Sequence, residues 1–163
     1  MLKASQPIVD ALLGQFGSFI TGSYAIGGDT TESDIDVVLP IDNPSDYLID
    51  SLRIRYALNV EPSNYNNGVK LAAPGRLVPV NIIRLHPFDY CAWLFATNTM
   101  AGLPPVLDKT TRHRAFEALC LAYKLASPGS ETLTTDGAYK YFESHKPSMD
   151  MKTIINITEL RNQ

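Results

Sequence analysis

Apolar residues along the chain change period several times, and each period predicts a different element. Ile8, Leu12, Leu13 and Phe16 recur at helical spacing and mark the buried face of a first helix, packed beside a short strand at residues 18–22. Asp34-Ile35-Asp36-Val37-Val38 alternates with a period of two, the pattern of a strand. Ile35 and Val37 then face a core, and both carboxylates share the opposite face, about 7 Å apart along the backbone. Asn43-Pro44-Ser45 begins a second helix running to about residue 58, with Tyr47, Leu48, Leu52 and Tyr56 on its buried side. Residues 64–68, Tyr65 included, form a polar turn. Two strands at 69–72 and 77–85 follow as an antiparallel pair joined at Pro74-Gly75, and Pro79 implies an unpaired amide or a nearby sheet edge. Helical patterns occupy residues 87–100 and 109–126, with weaker ones at 136–144 and 151–160.

These elements give an α/β (α+β) chain: a small mixed sheet flanked by helices, with a helical C-terminal segment. The expected domain is 1–126. Ser127-Pro128-Gly129-Ser130 and Lys146-Pro147 set off residues 127–163 as a helical appendage packed on it.

Composition changes the picture little. A chain of 163 residues can bury a core without staples. A formal charge of -3 gives no overall attraction to nucleic acid and disfavours a long DNA or RNA footprint. Cys91 and Cys120 lie in apolar helical contexts and read as reduced core residues. No apolar run reaches the length of a membrane span, and the start, Met-Leu-Lys-Ala-Ser-Gln-Pro, lacks the apolar region of a signal peptide, so the expected location is cytoplasmic.

Candidate chemistry concentrates between Phe19 and Leu39. The strand Phe19-Ile20-Thr21 ends at Gly22-Ser23, where glycine permits close backbone approach and serine can cap a short helix whose amides suit a terminal phosphate. Gly27-Gly28-Asp29-Thr30-Thr31 is a flexible connection returning the chain to the aspartates. Asp34 and Asp36 can converge on one hard cation, or on a pair about 3.5–4 Å apart of the kind used for in-line phosphoryl displacement. Taken singly, an Asp-x-Asp in a strand or a Gly-Ser pair is commonplace; their order along the chain is what is specific. Further on, Lys109, Arg112 and His113 stand at i, i+3 and i+4, placed to point together at a polyphosphate, whereas Arg114 reads as solvated. Ala115, Leu119, Ala122 and Ala126, or Phe116, Cys120 and Tyr123, would bury the other side of that helix, and Trp93 reads as a core anchor.

The run of strand, Gly22-Ser23, short helix, glycine-rich loop and Ser33-Asp34-Ile35-Asp36 resembles the signature of the polymerase-β-like nucleotidyltransferase superfamily, in its minimal single-domain form. The resemblance implies transfer of a nucleotidyl group from a triphosphate with two magnesium ions, and a third carboxylate on a later strand. Here that position matches Asn81, whose amide oxygen can ligate a metal but brings no charge and is a poor base. Glu61, Asp89 and His86 could each supply a base; their plainer readings are surface charge, a helix-start residue and a loop imidazole. Phe88 to Thr97 and Asp108 to Glu117 are similar to phage-encoded nucleotidyltransferase-like proteins, in which an Asn-containing strand, an Ala-Trp helix and a basic helix follow the Asp pair. That likeness extends over roughly residues 5–125, makes Asn81 ordinary for the subgroup and implies a host cytoplasm.

The expected activity is nucleotidyl transfer, dependent on Mg2+ or Mn2+, from a nucleoside triphosphate to a hydroxyl acceptor on an RNA end, a protein or a small molecule. Asp34 and Asp36 would hold metal, Asn81 would complete the catalytic set, and Gly22, Ser23, Lys109 and Arg112 would hold phosphates. The alternative keeps the fold with weakened catalysis, as a nucleotide-binding or partner-inhibiting module of antitoxin-like or host-modulating type. Base and acceptor have no fixed sequence pattern, and an edge strand or the C-terminal segment offers a route to a homodimer or a protein partner.

Overall fold

Strand register, more than any single contact, organises this protein. The computed structural model describes residues 2–29, 33–65, 67–105 and 108–127, with Thr134, Asp136, Gly137, Lys140 and Asn156. The elements run α1 (Leu2–Leu13), β1 (Phe19–Thr21), α2 (Ser23–Ile26), β2 (Ile35–Pro40), α3 (Asp46–Arg55), β3 (Asn59–Pro62), β4 (Val69–Ala72), β5 (Val80–Leu85), α4 (Pro87–Ala101) and α5 (Lys109–Ala126). They fall into two compact units, one of Met1–Tyr24 with Asp29–His86 and the other of Ala25–Gly28 with Pro87–Gln163.

The first unit is built on a mixed five-stranded sheet in the order β1-β2-β5-β4-β3. β2 and β5 run parallel at its centre, and the other three pairings are antiparallel. On β2 the expected alternation holds through Ile35, Asp36 and Val37 and then stops, since Val38 is fully buried as well; Ile35, Val37 and Leu39 are buried together with Val80, Ile82 and Leu71 of the neighbouring strands. Ile8, Val9 and Leu12 of α1 and Ile49 and Leu52 of α3 belong to the same cluster, so two amphipathic helices cover this sheet face. The hydroxyl of Ser5 donates to the Val78 carbonyl at 2.7 Å, tying α1 to the entrance of β5. Pro79 stands just ahead of β5, where its missing N–H costs nothing while its carbonyl accepts from Ile35 N–H at 2.9 Å.

Some expected details differ. Phe16 is 65% exposed because α1 ends at Leu13, before the helical spacing reaches it. Tyr47 is 87% exposed: α3 buries Ile49 and Leu52, with Leu48 and Tyr56 partly packed, and position 47 lies off that stripe. The helix stops at Arg55 rather than near residue 58, since Ala57 takes a left-handed φ of 51°. Strand β3 escapes a reading by periodicity because all four of its residues are exposed and carry no apolar alternation.

In the second unit α4 and α5 pack together. Trp93 meets Phe116 edge to face at 5.1 Å between ring centroids, Phe95 lies beside Tyr123, and Lys124 pairs with Asp89. Asp108 caps α5, its side chain accepting from Thr111 N–H at 2.8 Å. The buried stripe of α5 is Thr111, Arg112, Ala115, Leu119 and Tyr123, a mixture of the two stripes expected. Burial pushes the Cys91 thiol up to about 11 and the Cys120 thiol up to about 12. The helices expected at 136–144 and 151–160, and with them the appendage 127–163, fall largely outside the described residues. Among the described residues no helix is long and apolar enough to cross a membrane.

Candidate functional site

Opposite the face covered by α1 and α3, the sheet carries one polar row. Thr21 pairs with Asp36, Asp36 with Asn81, Asn81 with Lys70, and Lys70 with Glu61, so one residue from each of the five strands points the same way. At the three middle positions the row follows from apolar neighbours that face the core: Ile35 and Val37 around Asp36, Val80 and Ile82 around Asn81, Val69 and Leu71 around Lys70.

At one end of the row, the Gly-Ser turn meets the aspartates. Gly22 has a φ of +68°, and a Cβ there would overlap Oδ2 of Asp36 and stand 3.2 Å from its Cγ. Glycine is therefore required twice over, by backbone conformation and by the carboxylate packed against it. Ser23 is buried beside Gly22 at the start of α2, a helix of four residues. Asp34 lies just ahead of β2, its carboxylate held by Lys70 at 2.8 Å from Nζ to Oδ2. Both members of this pair are roughly two-thirds buried, with side-chain exposures of 31% and 28%. The hydrogen bond from its ammonium to Asp34 is the main cause raising the Lys70 pKa, with the charges of Asp34, Glu61 and Asp36 adding to it against the cost of burial.

Asn81 closes the network. Its Nδ2 donates to Oδ1 of Asp36 at 3.2 Å, and its Oδ1 accepts from the Ser63 hydroxyl at 2.7 Å. An ionised carboxylate only accepts, so the amide must turn its NH2 toward Asp36. Ser63 Oγ in turn accepts from Tyr65 N–H at 3.2 Å. Tyrosines flank the aspartates: burial first, then the charge of Asp36, pushes the Tyr65 hydroxyl up, and burial with the charges of Asp29 and Asp34 does the same for Tyr24.

Magnesium takes oxygen ligands and is commonly held by one or two carboxylates together with substrate phosphates. Asp34 and Asp36 suit that role. Among the described residues no group of three or more His, Cys, Asp or Glu is placed to cage a metal by itself.

Of the residues singled out from sequence, Gly22, Ser23, Asp34, Asp36 and Asn81 gather in the first unit. Lys109 and Arg112 belong to the second, where Arg112 is buried on the α5 stripe while Lys109 and His113 are exposed. Asp89 is engaged by Lys124, His86 is exposed, and Glu61 stands in the polar row two strands from Asn81. Lys70 and Ser63 join the site without having been singled out. The alternation Val69-Lys70-Leu71 already separates the lysine from its apolar neighbours, but only strand pairing reveals that it stands opposite Asn81.

No family model matches the sequence, and no curated protein matches it. A solved structure of the CdnE cyclic dinucleotide synthase of Elizabethkingia meningoseptica with GTP and Apcpp is similar to this chain at 14% identity and a TM-score of 0.39, covering 95% of this chain and 74% of that one.

Proposed function

We propose that the polar row is a magnesium-triphosphate site and that the protein transfers a nucleotidyl group to a hydroxyl acceptor. The observation carrying this reading is the seating of the Asp36 carboxylate on Gly22, with Asp34 two residues before it and Ser23 one residue after the glycine. The turn and the acidic pair are thereby in contact through Gly22 and Asp36. Asp34 and Asp36 would hold Mg2+ or Mn2+. The ion, when bound, would offset the charge that builds on the leaving pyrophosphate.

The chain's own residues divide the remaining work. Gly22 lets the triphosphate approach the backbone, and the Ser23 hydroxyl donates to a terminal phosphate oxygen. Asn81 orients Asp36, and Ser63 holds Asn81 in that orientation. In the transfer itself the acceptor oxygen forms a bond to the α-phosphorus, the bond to the β-phosphate oxygen breaks, pyrophosphate departs and the hydroxyl proton passes to solvent or to a carboxylate of the row.

One observation favours a second reading, a protein that binds the triphosphate without turning it over. The Asn81 amide has no basicity near neutral pH, and it presents a donor rather than an acceptor to the site. Incubation with labelled ATP, GTP, CTP and UTP, divalent ion, and RNA and protein acceptors separates the two. Transferred label and pyrophosphate that disappear in an Asp34→Asn/Asp36→Asn variant support the enzyme. Binding without release of pyrophosphate supports the binding module, and absence of triphosphate binding refutes both.

A further inference from the structure

We propose that Lys70 is a built-in cation of this site: its ammonium holds Asp34 in the place of a second divalent ion, so the protein takes up a triphosphate with one divalent ion rather than two. The inference rests on the triphosphate reading above and concerns how many ions that site accepts.

The sheet delivers Lys70 to the site. β4 pairs with β5 so that Lys70 stands directly opposite Asn81, which itself stands opposite Asp36 on β2. From there the ammonium reaches Asp34 Oδ2 at 2.8 Å, in a partly buried pair. Glu61, opposite Lys70 on β3, adds a further negative neighbour to the ammonium.

Among the described residues no group of three or more His, Cys, Asp or Glu is placed to hold a metal, so the donors seen there are few for two hard cations. A magnesium ion is held near-octahedrally, and a pair of such ions is usually bridged and flanked by several carboxylates. Here Asp36 packs against Gly22 and Asp34 stands two residues before it, and both carboxylates are already engaged, Asp34 by Lys70 and Asp36 by Asn81. Asn81 turns its NH2 to Asp36 and its Oδ1 to Ser63, so it presents a donor rather than an oxygen to Asp36. A second divalent ion would meet an ammonium and an amide N–H, both repelling it. One ion held by the aspartates and the triphosphate is compatible with Lys70 in place.

The test counts ions. The full chain, in excess over α,β-methylene ATP or GTP, is titrated with Mn2+ while electron paramagnetic resonance reads free and bound ion. The expected result is one bound Mn2+ per bound triphosphate in the wild type and in Lys70→Arg, and two in a Lys70→Met/Asn81→Asp variant, which removes the ammonium and supplies a third carboxylate. Circular dichroism confirms that each variant is folded. If the double variant does not fold, Lys70→Met alone is counted against the wild type, and a count that stays at one overturns the role of Lys70. Any wild-type count other than one, with triphosphate bound, overturns the inference while leaving the triphosphate site standing. Failure of the wild type to bind either triphosphate overturns the underlying reading, and the inference with it.

Discussion

The carboxylate of Asp36 occupies the space that any side chain on Gly22 would need. Gly22→Ala must therefore displace Asp36 as well as strain the backbone. A left-handed φ costs an ordinary residue about 1–2 kcal/mol. Gly75 offers a control, with a φ of +77° and no atom within 4 Å of where a methyl group would stand. Urea unfolding should show a similar backbone cost in both variants and an added cost in Gly22→Ala. Triphosphate titration should show weakened binding in Gly22→Ala alone.

Replacing Asp34 and Asp36 by Asn keeps shape while removing the charge that would hold a divalent ion. Loss of Mg2+-dependent triphosphate affinity by at least about tenfold is expected, corresponding to about 1.4 kcal/mol. Isothermal titration with and without Mg2+ measures it. Equal affinity in wild type and variant would mean that the aspartates hold no ion.

Ser63→Ala removes the donor to Asn81 Oδ1 and leaves a buried amide oxygen without that partner. An unsatisfied buried acceptor costs about 1–3 kcal/mol, and a drop of that size should appear in the urea midpoint. Ser63→Thr, which retains a hydroxyl, should recover most of it.

Asn81→Asp places a carboxylate against Asp36 where an N–H now donates at 3.2 Å. Losing a hydrogen bond to a charged group costs about 1.5–3 kcal/mol, and like charges add to it. Thermal unfolding should show a lower midpoint in chelator and substantial recovery in millimolar Mg2+ or Mn2+, a recovery absent from the wild type at equal ion concentration.

Cys91 and Cys120 are pushed to about 11 and about 12 by burial, against an ordinary thiol value of 9.0. The folded chain should resist iodoacetamide at pH 8, and both thiols should react in urea. The unfolded chain ionises these thiols first, so their contribution to stability is intact below pH 9.0 and is lost as pH rises toward the folded values. Unfolding midpoints measured from pH 8 to pH 10.5 should fall accordingly.

Much of the fold is legible along the chain because it is written in short-range periodicity. Ile35 and Val37 alternate with the aspartates, Pro87 to Ala101 and Lys109 to Ala126 carry helical patterns, and Pro74-Gly75 marks the turn between β4 and β5. Where periodicity is weak it hides an element, as at the exposed Asn59–Pro62 strand, or carries a stripe past the helix end to Phe16. The candidate site is legible in part: Gly22, Ser23, Asp34 and Asp36 lie in one short stretch, and Asn81 can be matched by its place on a later strand.

What no stretch of sequence contains is which residues stand opposite one another. Alternation sets Lys70, Asn81 and Asp36 each on the side of its strand opposite its core-facing apolar neighbours, but pairing depends on contacts between segments up to 45 residues apart, as in the Asn81–Asp36 bond. The buried apolar neighbours lock that register, since a shift by one residue would turn Ile35, Val80 and Leu71 outward. The identity of the acidic pair and its glycine is thus a property of local sequence, whereas the ammonium on Asp34 and the direction of the Asn81 amide are consequences of burying the opposite side of the sheet.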